Sequence, residues 1–184
     1  MPDTGFLELF NANLPQDIRV LHMQEVDASF NLINAPKSKE YRYHFSYGDK
    51  NHPFAAPFMV NITGDLDIPK MQEGARLFEG AHDFKNYCYK PNPETITKGA
   101  IAVSEIIVNT TYTANFFPEI SYCYRVIGKG FKRHQVRLMM GTLFDLGQGK
   151  IDLDFIKKTL SPAHTIKLEH IAQASGLLLH EVTM

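Results

Sequence analysis

The sequence predicts an α+β fold, a mixed and largely antiparallel sheet with helices packed on one face. Three observations lead there. Residues 38–47 alternate aromatic and polar side chains with the two-residue period of a strand. Residues 100–112 and 119–128 are rich in β-branched and aromatic side chains, and the short connection at Ala114–Pro118 predicts an antiparallel hairpin. Residues 131–147 form one long, nearly apolar helical segment.

In chain order, residues 3–13 predict a short amphipathic helix with Phe6, Leu7, Leu9 and Phe10 on its apolar face and Pro15 just beyond. Residues 17–26 alternate and predict a strand. Within 38–47, Tyr41, Tyr43, Phe45 and Tyr47 share one face, while Arg42, His44 and Ser46 share the other. A shorter strand near Phe58–Ile62 follows a proline-interrupted stretch. Residues 67–80 predict a helix capped by Asp67, with Pro69 in its first turn and Gly80 closing it. After the hairpin, Val136, Met140, Leu143 and Phe144 mark the core stripe of the 131–147 helix. Leu138, Met139 and Leu146 widen that stripe, so the helix is buried on most sides. A second helix covers 152–160, from Asp152 to the stop at Pro162, and a strand at Gly176–Val182 ends the chain. With no linker, charge block or repeat, residues 1–184 are expected to form a single domain.

The formal net charge is −1. That total argues against a uniformly basic nucleic-acid binder, but totals hide local clusters. Cys88 and Cys123 carry no C-x-x-C, so a reduced, cytoplasmic setting is expected, with one disulfide left open. The first residues have neither the basic start nor the apolar run of a signal peptide, and no stretch approaches a membrane span. His164 and His170 lack the spacing of a metal pair, and H-E-x-x-H, phosphate-loop and dinucleotide motifs are missing. No metal, cofactor or membrane partner is therefore expected.

Three features could carry chemistry. Arg137 interrupts an apolar helix, where arginine either reaches a carboxylate or phosphate or extends past the core into solvent. Lys129, Lys132, Arg133, His134 and Arg137 gather around the start of that helix, either to hold a phosphate or as a solvated helix end. Tyr41 lies among Lys37, Lys39, Arg42 and His44. Its ring could stack on a base while the cations hold the backbone, or Tyr41 and Tyr43 are core tyrosines with paired hydroxyls.

Several segments resemble the TruA family of tRNA pseudouridine synthases, in family order and spacing over almost the whole chain. Asn11–Ile18 resembles the family's N-x-x-L-P-x-D-I segment, and Tyr41-Arg42-Tyr43 its Y-x-Y strand. Gly80–Phe84 is similar to its G-x-H/N-D-F turn. Gly130-Phe131, Val136-Arg137 and Gly141–Leu143 resemble its long helix, and Gly176-Leu177 its terminal strand. The resemblance is to the C-terminal half of the family's fold. It implies isomerisation of uridine in tRNA, with the N1–C1′ bond broken and C5 joined to C1′, without metal or cofactor. The target base must leave its stack. The resemblance further implies that Tyr41 stacks on the uracil, that Phe131 lines the pocket, and that Arg137 pairs with the catalytic aspartate. Lys39, Arg42, Lys132, Arg133 and His134 would contact RNA. It implies tRNA as partner and a homodimer.

The departures are specific. The family's G-R-T-D-x-G-V-H motif, which carries the aspartate, is not found in these 184 residues, and Asp3-Thr4-Gly5 lacks the Arg-Thr before it. The chain alone is expected to be inactive and the intact enzyme to extend upstream of Met1. The family's H-A-R-F segment stands here as Asn31-Leu32-Ile33-Asn34, with Ile33 in place of its arginine. Leu138 replaces the usual asparagine after the Val-Arg pair, and the arginine expected before the central strand is replaced near Thr97-Lys98. These losses keep a second reading open, a non-catalytic RNA-binding or dimerisation module derived from the family.

Overall fold

A computed structural model describes residues 4–184; Asp3, expected at the start of the first helix, lies outside the described residues. The chain forms two compact units, one of the described residues up to Ala35 and one of Pro36–Met184.

The first unit holds α1 (Thr4–Ala12), in which Phe6 and Phe10 stack one turn apart with ring centroids at 6.0 Å. The strand expected at 17–26 does not form. Among the described residues no strand runs beside its backbone. Instead the Asn11 side-chain amide serves Val20 from both ends, accepting from its N–H at 2.8 Å and donating to its carbonyl at 2.9 Å. One side chain thus replaces a ladder partner at one residue, and Ile18, Leu21 and Val26 stay exposed.

The second unit is a six-stranded sheet with helices over one face. Its elements are β1 (Ser38–Gly48), β2 (Val60–Thr63), α2 (Ile68–Arg76), β3 (Gly80–Asp83), β4 (Lys98–Val108), β5 (Tyr122–Gly128), α3 (Gln135–Gly147), α4 (Leu153–Leu160) and β6 (Leu177–Thr183). The strand order is β2-β1-β5-β4-β3, with β6 also on β1. β1 is long enough to share one edge: β6 runs antiparallel to its first half and β2 parallel to its second, while β5 holds the other edge. Only the β1–β2 pair is parallel.

The alternation read from 38–47 sorts the two faces. Tyr41 pairs across from Val126, and Tyr43 from Tyr124. Tyr43, Tyr124 and Val126 are fully buried in a core shared with Met71, Phe78, Met140, Leu143, Phe144 and Ile156. On the opposite face Arg42 lies across from Arg125 and His44 across from Cys123.

Several element boundaries differ from those expected. Asp67 caps α2, its carboxylate accepting from the Lys70 N–H, and proline occupies the first turn. The helix ends at Arg76, however, and Gly80, left-handed at φ +94°, opens β3 instead of closing α2. β4 and β5 form the expected hairpin, but 109–121 connects them because β4 ends at Val108. α3 begins at Gln135 rather than near 131, after a left-handed His134 at φ +58°. Asp152 caps α4 as expected. Cys88 and Cys123 are buried free thiols. No helix among the described residues is long and apolar enough to cross a membrane.

Candidate functional site

The segment 131–137, which leads into α3, gathers most of the singled-out residues. Phe131 meets Tyr41 of β1 edge to face, with centroids 5.2 Å apart and planes at 84°. Both rings are half-buried and lie against the margin of the core. The geometry is that of a favourable aromatic pair, and it fixes the Tyr41 ring without closing it off.

Arg137 lies in the first turn of α3, between the buried Val136 and Leu138. Its half-buried guanidinium donates from Nε to the Ala172 carbonyl at 2.6 Å, and the Ala172 N–H donates back to the Arg137 carbonyl at 3.1 Å. Among the described residues no carboxylate pairs with it. Tyr43 lies within its field: burial pushes the phenol up, the Arg137 charge opposes that shift, and the hydroxyl donates to the Gln173 carbonyl at 2.8 Å. Segment 172–173 therefore anchors both the arginine and the core tyrosine behind it.

The remaining cations divide. Arg42 points to the other face of the sheet, where its Nε lies 2.7 Å from Glu40. Arg125 joins the same carboxylate and also reaches Glu105 at 2.9 Å. Burial alone would raise the Glu40 carboxyl, but the hydrogen bonds and charges of Arg125 and Arg42 outweigh it and hold the group below its usual range. Arg42 is thus a member of an ion-pair network, turned away from Tyr41. Lys39 shares the Tyr41 side of β1 by strand alternation and is half-exposed. Lys132 N–H donates to the Gln135 side chain at 2.7 Å, which steadies the turn into α3.

Arg133 and His134 meet a residue that the sequence reading passed over. His134 stacks on Tyr89, with centroids at 4.8 Å and planes 27° apart. The guanidinium carbon of Arg133 and the Nζ of Lys90 each lie 5.4 Å from the centre of the same ring. Burial, reinforced by the charges of Arg137 and Arg133, lowers the pKa of His134 below its ordinary value. Tyr89 sits in a loop with no periodic signal, and only its position beside Lys90 and the prolines at 91 and 93 marks it in sequence.

The described residues contain no cluster of metal-binding side chains. What the arrangement offers is a fixed aromatic face at Tyr41, an anchored guanidinium at Arg137 and exposed cations on one turn. That set suits a flat base and negatively charged groups, not a small apolar substrate.

Comparison with known proteins identifies the family. Residues 75–183 match the family profile described as tRNA pseudouridine synthase. The chain is 36% identical over 172 residues to the tRNA pseudouridine synthase A of Bacillus pumilus (strain SAFR-032), covering 94% of the chain and 66% of the relative. It is 31% identical over 184 residues to the protein of the same name from Anoxybacillus flavithermus (strain DSM 21510 / WK1), covering 100% of the chain and 70% of the relative. For that of Clostridium kluyveri the figures are 28% over 182 residues, 99% of the chain and 71% of the relative. The chain thus spans roughly two thirds of the length of these relatives.

Proposed function

Because this chain belongs to the tRNA pseudouridine synthase family, we propose that it forms one wall of an active site that isomerises uridine to pseudouridine in tRNA. Tyr41 stacks on the flipped uracil, and Phe131 lines the pocket beside it. Arg137 pairs with the catalytic aspartate, which comes from a segment carrying the family's R-T-D motif. Lys39, Lys132, Arg133 and His134 hold RNA around that pocket, and Arg42 acts through the sheet behind it. The chain as a whole is equivalent to the C-terminal half of the enzyme.

The observation that carries this reading is the state of Arg137. A half-buried guanidinium loses hydration and needs compensation. Ala172 satisfies Nε only, so the outer two nitrogens retain the fork that matches a carboxylate. Paired there, Arg137 keeps an aspartate ionised and oriented against the ribose and base. In this reading the enzyme is a cytoplasmic homodimer. Support for a second subunit comes from Phe58 and Leu178, both exposed and lining one largely apolar groove on the second unit. Sedimentation of the chain at micromolar concentration as a dimer would support this; a monomer at all concentrations would refute it.

The activity is tested by tritium release from tRNA labelled at uridine C5. The chain alone is expected to release none, and adding a segment with the R-T-D motif in trans is expected to restore release. Release by the chain alone would locate the catalytic carboxylate within these residues and overturn the assignment of Arg137. One observation favours a second reading, RNA binding without turnover: Ile33, at the position of the family's arginine, is 86% exposed. Salt-sensitive tRNA binding with no release in trans would select it.

A further inference from the structure

The environment of Tyr89 has a purpose that the target-base pocket does not explain. Among the described residues only two that are not glycine have positive φ, Lys90 at +48° and His134 at +58°. Both contact the Tyr89 ring. Left-handed backbone at such residues is costly and persists where the surroundings enforce it, which marks a built feature. The Tyr89 N–H donates to the Arg133 carbonyl at 3.0 Å, tying the two loops together at the backbone.

The result places two cations around one ring. Lys90 and Arg133 are both exposed, and neither has a carboxylate partner among the described residues. Cation–π contact orients them but does not neutralise them, so their charge stays available to an anion. The Nδ1 of His134 is buried without a hydrogen-bond partner beside them. Tyr89 and Lys90 also line a cavity of about 600 Å³, which Arg133 and His134 do not border. The other charged groups on that cavity are already engaged. Lys85 donates to the Pro162 carbonyl at 2.8 Å, and Lys167 faces Glu169 at 3.8 Å.

We propose that Lys90 and Arg133, assembled on Tyr89 beside the stacked His134 ring, form a cradle for one backbone phosphate of the bound RNA. The inference rests on the tRNA reading above. Phe131 touches Tyr41 and His134 touches Tyr89, so only Lys132 and Arg133 lie between these two ring contacts along the chain. A phosphate held there belongs to a nucleotide beside the flipped uridine, and its capture holds the backbone in the opened form. Lys90 and Arg133 bind the phosphate, while Tyr89 is a positioning residue that sets their separation.

The test uses the full chain and two probes. Inorganic phosphate, titrated at constant ionic strength, is expected to shift the His134 ring and Arg133 amide resonances in the wild type. The Lys90→Ala/Arg133→Ala double variant, altered only at exposed positions, is expected to lose that shift. No wild-type shift, or an equal shift in the variant, overturns the cradle. With tRNA, the double variant is expected to bind about tenfold more weakly and to flatten the dependence of log K on log salt by about one unit. Unchanged affinity and slope would overturn the cradle and leave the tRNA reading intact. A phosphate response with no tRNA binding by the wild type would overturn the tRNA reading, and the RNA occupant with it. Tyr89→Phe is expected to keep both responses and Tyr89→Leu to lose them; a fully responsive Tyr89→Leu would show that the ring does not position the cations.

Discussion

Arg137 and Ala172 bond each other twice, side chain to carbonyl at 2.6 Å and N–H to carbonyl at 3.1 Å. The pair fastens the segment before β6 to the first turn of α3 and fixes the guanidinium plane in the process. Arg137→Lys keeps the charge but loses the Nε bond and the planar fork. Stability is expected to fall by only about 1 kcal/mol, the worth of one hydrogen bond. Tritium release with the aspartate-bearing segment in trans is expected to fall about 100-fold or more, as when a preorganised charge contact is removed. Near-full release by the lysine variant would show that the fork does not orient the carboxylate.

Tyr41 and Phe131 are expected to act as a coupled pair. Because no described residue bonds the Tyr41 hydroxyl, Tyr41→Phe should change stability by less than about 0.5 kcal/mol. Tyr41→Ala removes the edge-to-face contact at a half-buried site and should cost about 2 kcal/mol. A double-mutant cycle with Phe131→Ala, measured by urea unfolding, should return a coupling of about 0.5–1.5 kcal/mol. Additive effects would mean that the two rings are held independently.

How far the sequence spoke depended on whether a signal was local. The faces of β1 were legible because alternation follows directly from strand geometry, and Asp67 and Asp152 were legible as caps because capping is a one-turn interaction. The strand expected at 17–26 failed because alternation cannot say whether a partner edge exists, and here the Asn11 amide takes that place. Gly80 was read as a helix end because a left-handed glycine also serves to start a strand. At the site, Arg137 in its apolar helix and Tyr41 among its cations stand out from the residues themselves, and Phe131 from the resemblance, whereas Ala172 and Tyr89 depend on contacts made 35 to 45 residues away in the chain, as in Arg137–Ala172 and Tyr89–His134. Lys39, Arg42 and His44 are neighbours in sequence, but the pleat sends Arg42 and His44 to the face opposite Tyr41.

Gly141 controls how closely α3 approaches the segment that holds Arg137. A Cβ built there would lie 2.0 Å from the His170 carbonyl oxygen and 2.8 Å from its carbon, both backbone atoms. A side-chain rotation cannot relieve that overlap, so Gly141→Ala must push the 170–172 segment away from α3. The expected cost is about 3 kcal/mol, at the upper end for overpacking. The Arg137–Ala172 bonds should weaken with it, seen as faster exchange of the Ala172 amide. Gly149→Ala, with open space around it but φ at +71°, should cost only about 1 kcal/mol through its backbone and leave Ala172 protected.

His44 should make the fold sensitive to mild acid. It is 5% exposed, neither ring nitrogen has a hydrogen-bond partner among the described residues, and its ring meets Tyr112 edge to face at 5.1 Å. Burial, with smaller contributions from Arg42 and His180, pushes it down to about 4 from an ordinary value of 6.5. The unfolded chain therefore binds a proton between these values that the native state refuses. Its contribution is fully present above about pH 6.5 and is lost as pH falls toward about 4, a total on the order of 3 kcal/mol. Glu40, also depressed, loses its own contribution as pH falls from its ordinary value of 4.5 downward, so most of the His44 window lies above it. His44→Phe retains a ring against Tyr112 and removes the titrating group. Urea midpoints measured from pH 7.5 to 4.5 should therefore diverge, with the variant progressively more stable than wild type as pH falls. Parallel curves for the two proteins would mean that solvent reaches His44 and that its proton is not excluded by folding.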